Sequence, residues 1–249
     1  MSGHSKWATI KHKKGAADAK RGKLFAKLAR QIEVASRAGG GDVDMNPTLR
    51  TAVQKAKAAS MTNDAIDRAI KRGTGESGGD SYEDITYEGY APGGVALLID
   101  VLTDNRNRTS ADIRNILSKM GGSMAEPGAV GWQFSRRGVV LVEGAVDEDE
   151  LMMAALEAGA DDVSGSGEAW TVTCDPSDTF EVKEALETAG YTIVSADMPM
   201  VSDNLVPVDS VEDAKKLLRI LDAIEDNDDV QDVYSNFDIS DDIMEAASA

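Results

Sequence analysis

Apolar residues first recur along this chain at the spacing of a helix face. Leu24, Phe25, Leu28, Ile32 and Ala35 line one side of a predicted helix that stops at Gly39-Gly40-Gly41. Asn46-Pro47 then supplies an N-cap and a proline suited to the first helical position. Leu49, Val53, Ala56 and Ala59 form the stripe of a second helix. Thr62 or Asn63 opens a third, with Ile66, Ala69 and Ile70 inward and Gly73 beyond its end. Three short amphipathic helices predict a small bundle, and Gly73-Thr74-Gly75-Glu76-Ser77-Gly78-Gly79 has the composition of a flexible linker.

Past the linker the period drops to two. Strands are predicted over 82–90 and 95–102, joined by the turn Ala91-Pro92-Gly93-Gly94. A helix over 105–120 turns Ile113, Ile116, Leu117 and Met120 inward, and 130–134 reads as a strand. Residues 138–201 form a self-contained pattern: strand 139–142, helix 148–158, strands 162–164 and 170–174, helix 178–189, strand 192–199. That order, βαββαβ, is ferredoxin-like. One helix (209–225, with Val211, Ala214, Leu217, Leu218, Leu221 and Ile224) and one strand (230–236) are left over. The segment before the ferredoxin-like unit has strands but a single helix, so the leftover pair is expected to return and cover its sheet. The expected class is therefore α+β: a three-helix domain (1–79), a discontinuous α/β domain (80–134 plus 205–249) and a ferredoxin-like α/β domain inserted in it (135–204). The acidic end, 238–249, is expected to fray.

Charge changes this picture more than composition does. Residues 1–72 hold 16 of the 26 Lys and Arg and only six acids, a net +10, while the rest carries −28, giving −18 overall. A cationic head on an anionic trunk points to a polyanionic partner, since clustered cations bind a phosphate backbone by releasing its counterions. Lys6, Lys11, Lys13 and Lys14 surround Trp7 and His12 in the first dozen or so residues; the lysines suit phosphates, and Trp7 suits a base or a groove. Lys20, Arg21 and Lys23 continue the patch, and Lys20, Lys23, Lys27 and Arg30 share one helix face with no acid among them. The second and third helices resemble a helix-turn-helix, but Asp64 and Asp67 stand where base edges would be read, which favours a plain hairpin. Arg106 and Arg108 sit where a strand enters a helix. There they would either hold a phosphate or serve as local caps and ion pairs.

Other signals carry less. Gly73–Gly78 matches a dinucleotide-binding glycine pattern but follows a helix, and Asp42-Val43-Asp44-Met45-Asn46 lacks a calcium loop's glycine and final carboxylate. The acidic runs 147–150 and 225–229 read as helix-end charge and solvated surface. With two histidines in the basic arm and Cys174 in an alternating strand, there is no framework for nucleophilic catalysis, so no enzyme, cofactor or metal is expected. A single cysteine fits a reducing cytoplasm, and no apolar run approaches the ~20 residues of a membrane span.

Gly3-His4-Ser5-Lys6-Trp7, Ile10-Lys11-His12-Lys13-Lys14, Asp18-Ala19-Lys20-Arg21-Gly22-Lys23, Arg68-Ala69-Ile70-Lys71-Arg72-Gly73-Thr74-Gly75, Tyr87-Glu88-Gly89-Tyr90 and Leu102-Thr103-Asp104-Asn105-Arg106-Asn107-Arg108-Thr109 together resemble the YebC/PmpR family, through nearly the whole chain. The resemblance implies a helical domain and two α/β domains, one discontinuous. It also implies a cytoplasmic DNA-binding transcriptional regulator, with relatives acting as mitochondrial translational activators or as ribosome-associated factors that relieve stalling. Ser110-Ala111-Asp112 and Ser118-Lys119-Met120 depart from the basic or His side chains expected after that last element. The resulting expectation is a non-enzymatic, cytoplasmic nucleic-acid-binding regulator. The alternatives are a ribosome-associated factor on ribosomal or transfer RNA and a protein-interaction adaptor; the oligomeric state is left open.

Overall fold

The structure is a computed structural model that describes residues 18–75, 82–166 and 169–248, with side chains for 22–75, 82–165 and 169–248. The chain is α+β: a three-helix head, then two α/β units, one ferredoxin-like and inserted in the other.

The head comprises α1 (Asp18–Gly39), α2 (Pro47–Ala58) and α3 (Asn63–Gly73). At 1.5 Å per residue α1 is about 33 Å long and α3 about 17 Å, so α1 overhangs the bundle. Leu24, on the predicted stripe, is therefore exposed, while Leu28, Ile32 and Ala35 meet Leu49, Val53, Ala56, Ile66 and Ala69 in the core. Asn46 joins two helices. Its Oδ1 accepts from the Leu49 amide at 3.1 Å, and its Nδ2 donates to the carbonyls of Ala35 at 2.8 Å and Gly40 at 2.9 Å. Gly73 is the last residue of α3 rather than the one beyond it. It packs on α1, where a Cβ would meet the Glu33 carbonyl.

The trunk is built on β2 (Ala96–Thr103), largely apolar on both faces, with half-buried Asp100 the exception. It pairs antiparallel with β1 (Glu83–Tyr90) and with β11 (Val230–Ser235); β3 (Ser123–Met124) adds to β1. Leu97, Ile99 and Val101 face α4 (Arg106–Lys119) and α7 (Val211–Glu225), burying Ile113, Leu117, Leu217, Ile220 and Ile224. Ala96 and Leu98 face Val130, Phe134, Met200 and Tyr234. That layer contains the pair β4 (Phe134–Arg136) and β9 (Met200–Ser202), which frames the insertion.

The inserted unit runs β5 (Gly138–Glu143), α5 (Glu148–Glu157), β6 (Asp162–Ser166), β7 (Ala169–Cys174), α6 (Thr179–Thr188) and β8 (Thr192–Asp197). Its sheet order is β6-β7-β5-β8 with antiparallel neighbours. Cys174 is a buried strand residue, and burial raises its thiol pKa.

Three expectations need correction. Residues 130–134 are not a strand: Gly131–Gln133 is a 3-10 turn. The Glu88 carboxylate takes the amides of Gly128, Val130 and Gly131 at 2.6–2.8 Å, so a ladder cannot use them. The strand over 192–199 splits after Asp197. Pro199 has no amide to donate, and the chain leaves the sheet to form β9. Among the described residues the carboxyl end does not fray. After the short parallel pair β10 (Val206–Pro207) and β12 (Phe237–Asp238), helix α8 (Asp241–Ser248) buries Met244 against α7's cluster.

Asn46→Ala removes a cap and two side-chain hydrogen bonds, to the carbonyls of Ala35 and Gly40, a loss of about 2 kcal/mol in the head. Native-state hydrogen exchange should show the slowest α1 and α2 amides exchanging roughly 30-fold faster, with trunk amides unchanged.

Candidate nucleic-acid interface

The overhang of α1 determines where its basic face lies. Lys23, Lys27 and Arg30 project onto the carboxyl end of α7 and the loop after it, with Lys23 still about half exposed. Lys23 Nζ donates to the Asp226 carbonyl at 3.1 Å and its Oδ1 at 3.4 Å; Lys27 Nζ donates to the Glu225 carbonyl at 2.7 Å. Arg30 donates at 3.0 Å to the carbonyls of Leu102 and Asp228 and to Asp229 Oδ1, and its guanidinium lies 5.1 Å from the Tyr82 ring centroid. One residue further, Gln31 Nε2 meets Gln231 Oε1 at 3.1 Å. The last carbonyls of a helix have no partner inside it and carry the negative end of its dipole, so they suit lysines.

Asp229 is the centre of this seam. It is only 5% exposed. Its Oδ2 accepts from Arg108 at 2.7 Å, Thr109 at 2.6 Å and Thr103 at 3.1 Å, while Oδ1 faces Arg30. Burial alone would raise its pKa. The hydrogen bonds from Arg108, Thr109 and Thr103 outweigh that and hold the carboxyl below the ordinary Asp range. Arg108 in turn is held charged, first by Asp229 and then by Asp104 at 2.7 Å. Asn105 caps α4, its Oδ1 accepting from the Arg108 amide at 3.1 Å. A polar cleft of about 360 Å³ lies over this cluster. Arg30, Arg108, Asp104 and Asp112 line it, together with the loop residues Asn227, Asp228 and Asp229.

The predicted residues are thus divided. Lys6, Trp7, Lys11, His12, Lys13 and Lys14 lie outside the described residues. Lys20 and Arg21 stand at the start of α1, with side chains outside the described set. Lys23, Lys27 and Arg30 form one face, as expected, but that face is occupied by the trunk. Arg108 serves the caps and ion pairs that were the alternative to a phosphate site. Arg106 is exposed at the start of α4, and no ion pair to it is found among the described residues. The reading of 225–229 as solvated surface fails at Asp229, which the fold buries between head and sheet. Thr103, Thr109, Tyr82 and Asp229 were not singled out. The only local signal was the short polar Asn227-Asp228-Asp229 link between a helix and a strand, too brief to leave all its carboxylates in water.

Among the described residues no cluster of three or more His, Cys, Asp or Glu is placed to hold a metal, and no helix is long and apolar enough to cross a membrane.

Comparison with known proteins gives matches along most of the chain. Residues 5–76 match the TACO1/YebC protein N-terminal domain, and 82–237 match the TACO1/YebC second and third domain. A "Probable transcriptional regulatory protein" of Halothermothrix orenii is 58% identical over 248 residues, covering 98% of each chain. One of Rubrobacter xylanophilus is 59% identical over 246 residues, again covering 98% of each. The crystal structure of a conserved hypothetical protein from Aquifex aeolicus superposes with a TM-score of 0.77 at 44% identity, covering 90% of this chain and 93% of that one.

Asp229→Ala leaves Arg108 without its buried partner and should destabilise the trunk by about 3 kcal/mol, read as a lower urea midpoint. The depressed pKa fixes the pH sign. Asp229's contribution is complete above the unfolded Asp value of about 3.9 and is lost as pH falls through the lower folded value. The acid limb of a stability–pH curve should therefore be shallower in Asp229→Asn than in the unaltered protein.

Proposed function

Because the chain belongs to the TACO1/YebC family, we propose that it is a non-enzymatic, cytoplasmic regulator of gene expression that binds nucleic acid through its amino-terminal head. The observation that carries this reading is the charge segregation: +10 over residues 1–72 against −28 over the rest. The relatives' shared name, "Probable transcriptional regulatory protein", supports a regulatory role. An anionic trunk repels a phosphate backbone, so contact falls to the head. Lys6, Lys11, Lys13 and Lys14 supply cations, Trp7 and His12 supply flat rings, and Lys20, Arg21 and Lys23 continue the run of positive charge in sequence.

The head's geometry favours backbone contact over base reading. Asp64 and Asp67 are exposed in the first turns of α3, where a recognition helix would approach base edges. This supports a second reading beside the DNA-binding one: a translation factor that grips structured ribosomal or transfer RNA by shape and phosphate. Sequence preference among duplex DNAs would favour the first, and co-sedimentation with ribosomal particles without such preference the second. An adaptor role has weaker support, from Met153, Leu156 and Phe180 exposed on the inserted unit.

Changing Lys11, Lys13 and Lys14 together to Gln should weaken nucleic-acid binding and flatten the plot of log affinity against log salt by roughly 2 to 3, close to one charge per lysine. An unchanged slope in fluorescence anisotropy titrations would remove these lysines from the interface.

A further inference from the structure

We propose that the carboxyl end of α7 and the 226–229 loop act as an internal stand-in for a polyanion, so that nucleic acid and trunk compete for the same head residues, Lys23, Lys27 and Arg30. This rests on the nucleic-acid reading above and adds a regulatory step to it: the docked head is the restrained state, and binding requires the seam to open.

Four observations converge. The first is the chemistry of the acceptors. Every partner of the three cations across the seam in the hydrogen bonds given above is an oxygen, whether of the Glu225, Asp226, Asp228 and Leu102 carbonyls or of the Asp226 and Asp229 carboxylates. Phosphate oxygens offer these donors the same chemistry.

The second is that no hydrophobic core cluster among the described residues spans the seam. The head's core is drawn from residues 25–70 alone, and each trunk cluster from residues 87 and beyond. A polar seam is exchangeable in water in a way that a hydrophobic one is not. Lys23 and Asp226 are about half exposed or more, so solvent screens much of their attraction.

Third, the trunk remains satisfied when the head leaves. Arg30 holds Oδ1 of Asp229, whereas Oδ2 keeps Arg108, Thr103 and Thr109. Departure of Arg30 therefore does not strand a bare buried carboxylate, which is the usual obstacle to opening a buried ion pair.

Fourth, the competitor has an advantage of its own. A nucleic-acid backbone that takes up three cations releases condensed counterions, a gain the trunk's oxygens do not offer.

A cross-link across the seam tests this. The side chains of Gln31 and Gln231 meet there, so a Gln31→Cys/Gln231→Cys protein can be bridged with a short flexible bismaleimide; Cys174 is buried with a raised thiol pKa and should be spared. The same preparation before bridging, and a sample capped with a monofunctional maleimide, serve as controls. Probes are a fluorescein-labelled single-stranded RNA of about 16 nucleotides and a labelled duplex DNA of the same sequence. The bridged protein should bind roughly tenfold or more weakly than both controls. For the RNA, its log–log salt slope should be smaller by about 2, three cations at about 0.7 each. Equal affinity and slope for bridged and control proteins would overturn the competition while leaving the nucleic-acid reading standing. Failure of all three samples to bind either probe would overturn both.

Discussion

A single buried carboxylate ties together the three parts of this protein that meet at its seam. Asp229 lies between the end of α7 and the start of β11, against the end of β2 and the first turn of α4, and beneath α1 of the head. An ionised carboxylate this little exposed needs strong donors to offset its lost hydration. Two threonines and an arginine fill one oxygen, and the head supplies the donor to the other. The sequence Asp104-Asn105-Arg106-Asn107-Arg108-Thr109 makes sense in this light. Asn105 turns the chain into a helix, and that helix start aims Arg108 and Thr109 at Asp229.

Around that anchor the molecule keeps its apolar cores apart. The head closes on Ile32, Leu49 and Ile66, the central sheet on Leu97, Ile99 and α7, and the inserted unit on Val140, Val172 and Leu186. Burial at about 25 cal/mol per Å² of apolar surface stabilises each unit separately. Their mutual orientation draws on other contacts: the β4–β9 pair at the insertion, whose Phe134 and Met200 pack on Ala96 and Leu98, and the lysines and Arg30 of α1 on the trunk.

Much of the fold could be read from the chain because its signals are local. Asn46-Pro47 specifies a cap whatever surrounds it, and the βαββαβ order follows from alternation and helix spacing within about sixty residues. What was missed depends on distant partners. Whether Asp229 is solvated is decided by Arg108 and Arg30, 121 and 199 residues away in sequence. The same is true of the basic face of α1. Acid-free spacing marked it as a binding surface, but nothing near residues 23–30 indicates that the end of α7 will lie across it. At 130–134 the alternating Val130, Trp132 and Phe134 would share one face of a strand, yet Val130 and Phe134 are buried while Trp132 is exposed. A carboxylate on β1 captured the amides, and pattern alone cannot detect a competitor for backbone hydrogen bonds.

Net charge and local contact act over different ranges here. The trunk's −28 draws the head inward and pushes polyanions away, but at physiological ionic strength that field decays over about 8 Å. Beyond that distance a nucleic acid approaching the amino-terminal side meets mainly the head's own cations. Within it, hydrogen-bond geometry decides, and the end of α7 presents oxygens at 2.7–3.4 Å from Lys23 and Lys27. The proposed competition concerns only Lys23, Lys27 and Arg30, whose trunk partners are oxygens. No hydrophobic core cluster among the described residues has to be broken for that exchange. That is consistent with a seam made almost wholly of charges and carbonyls.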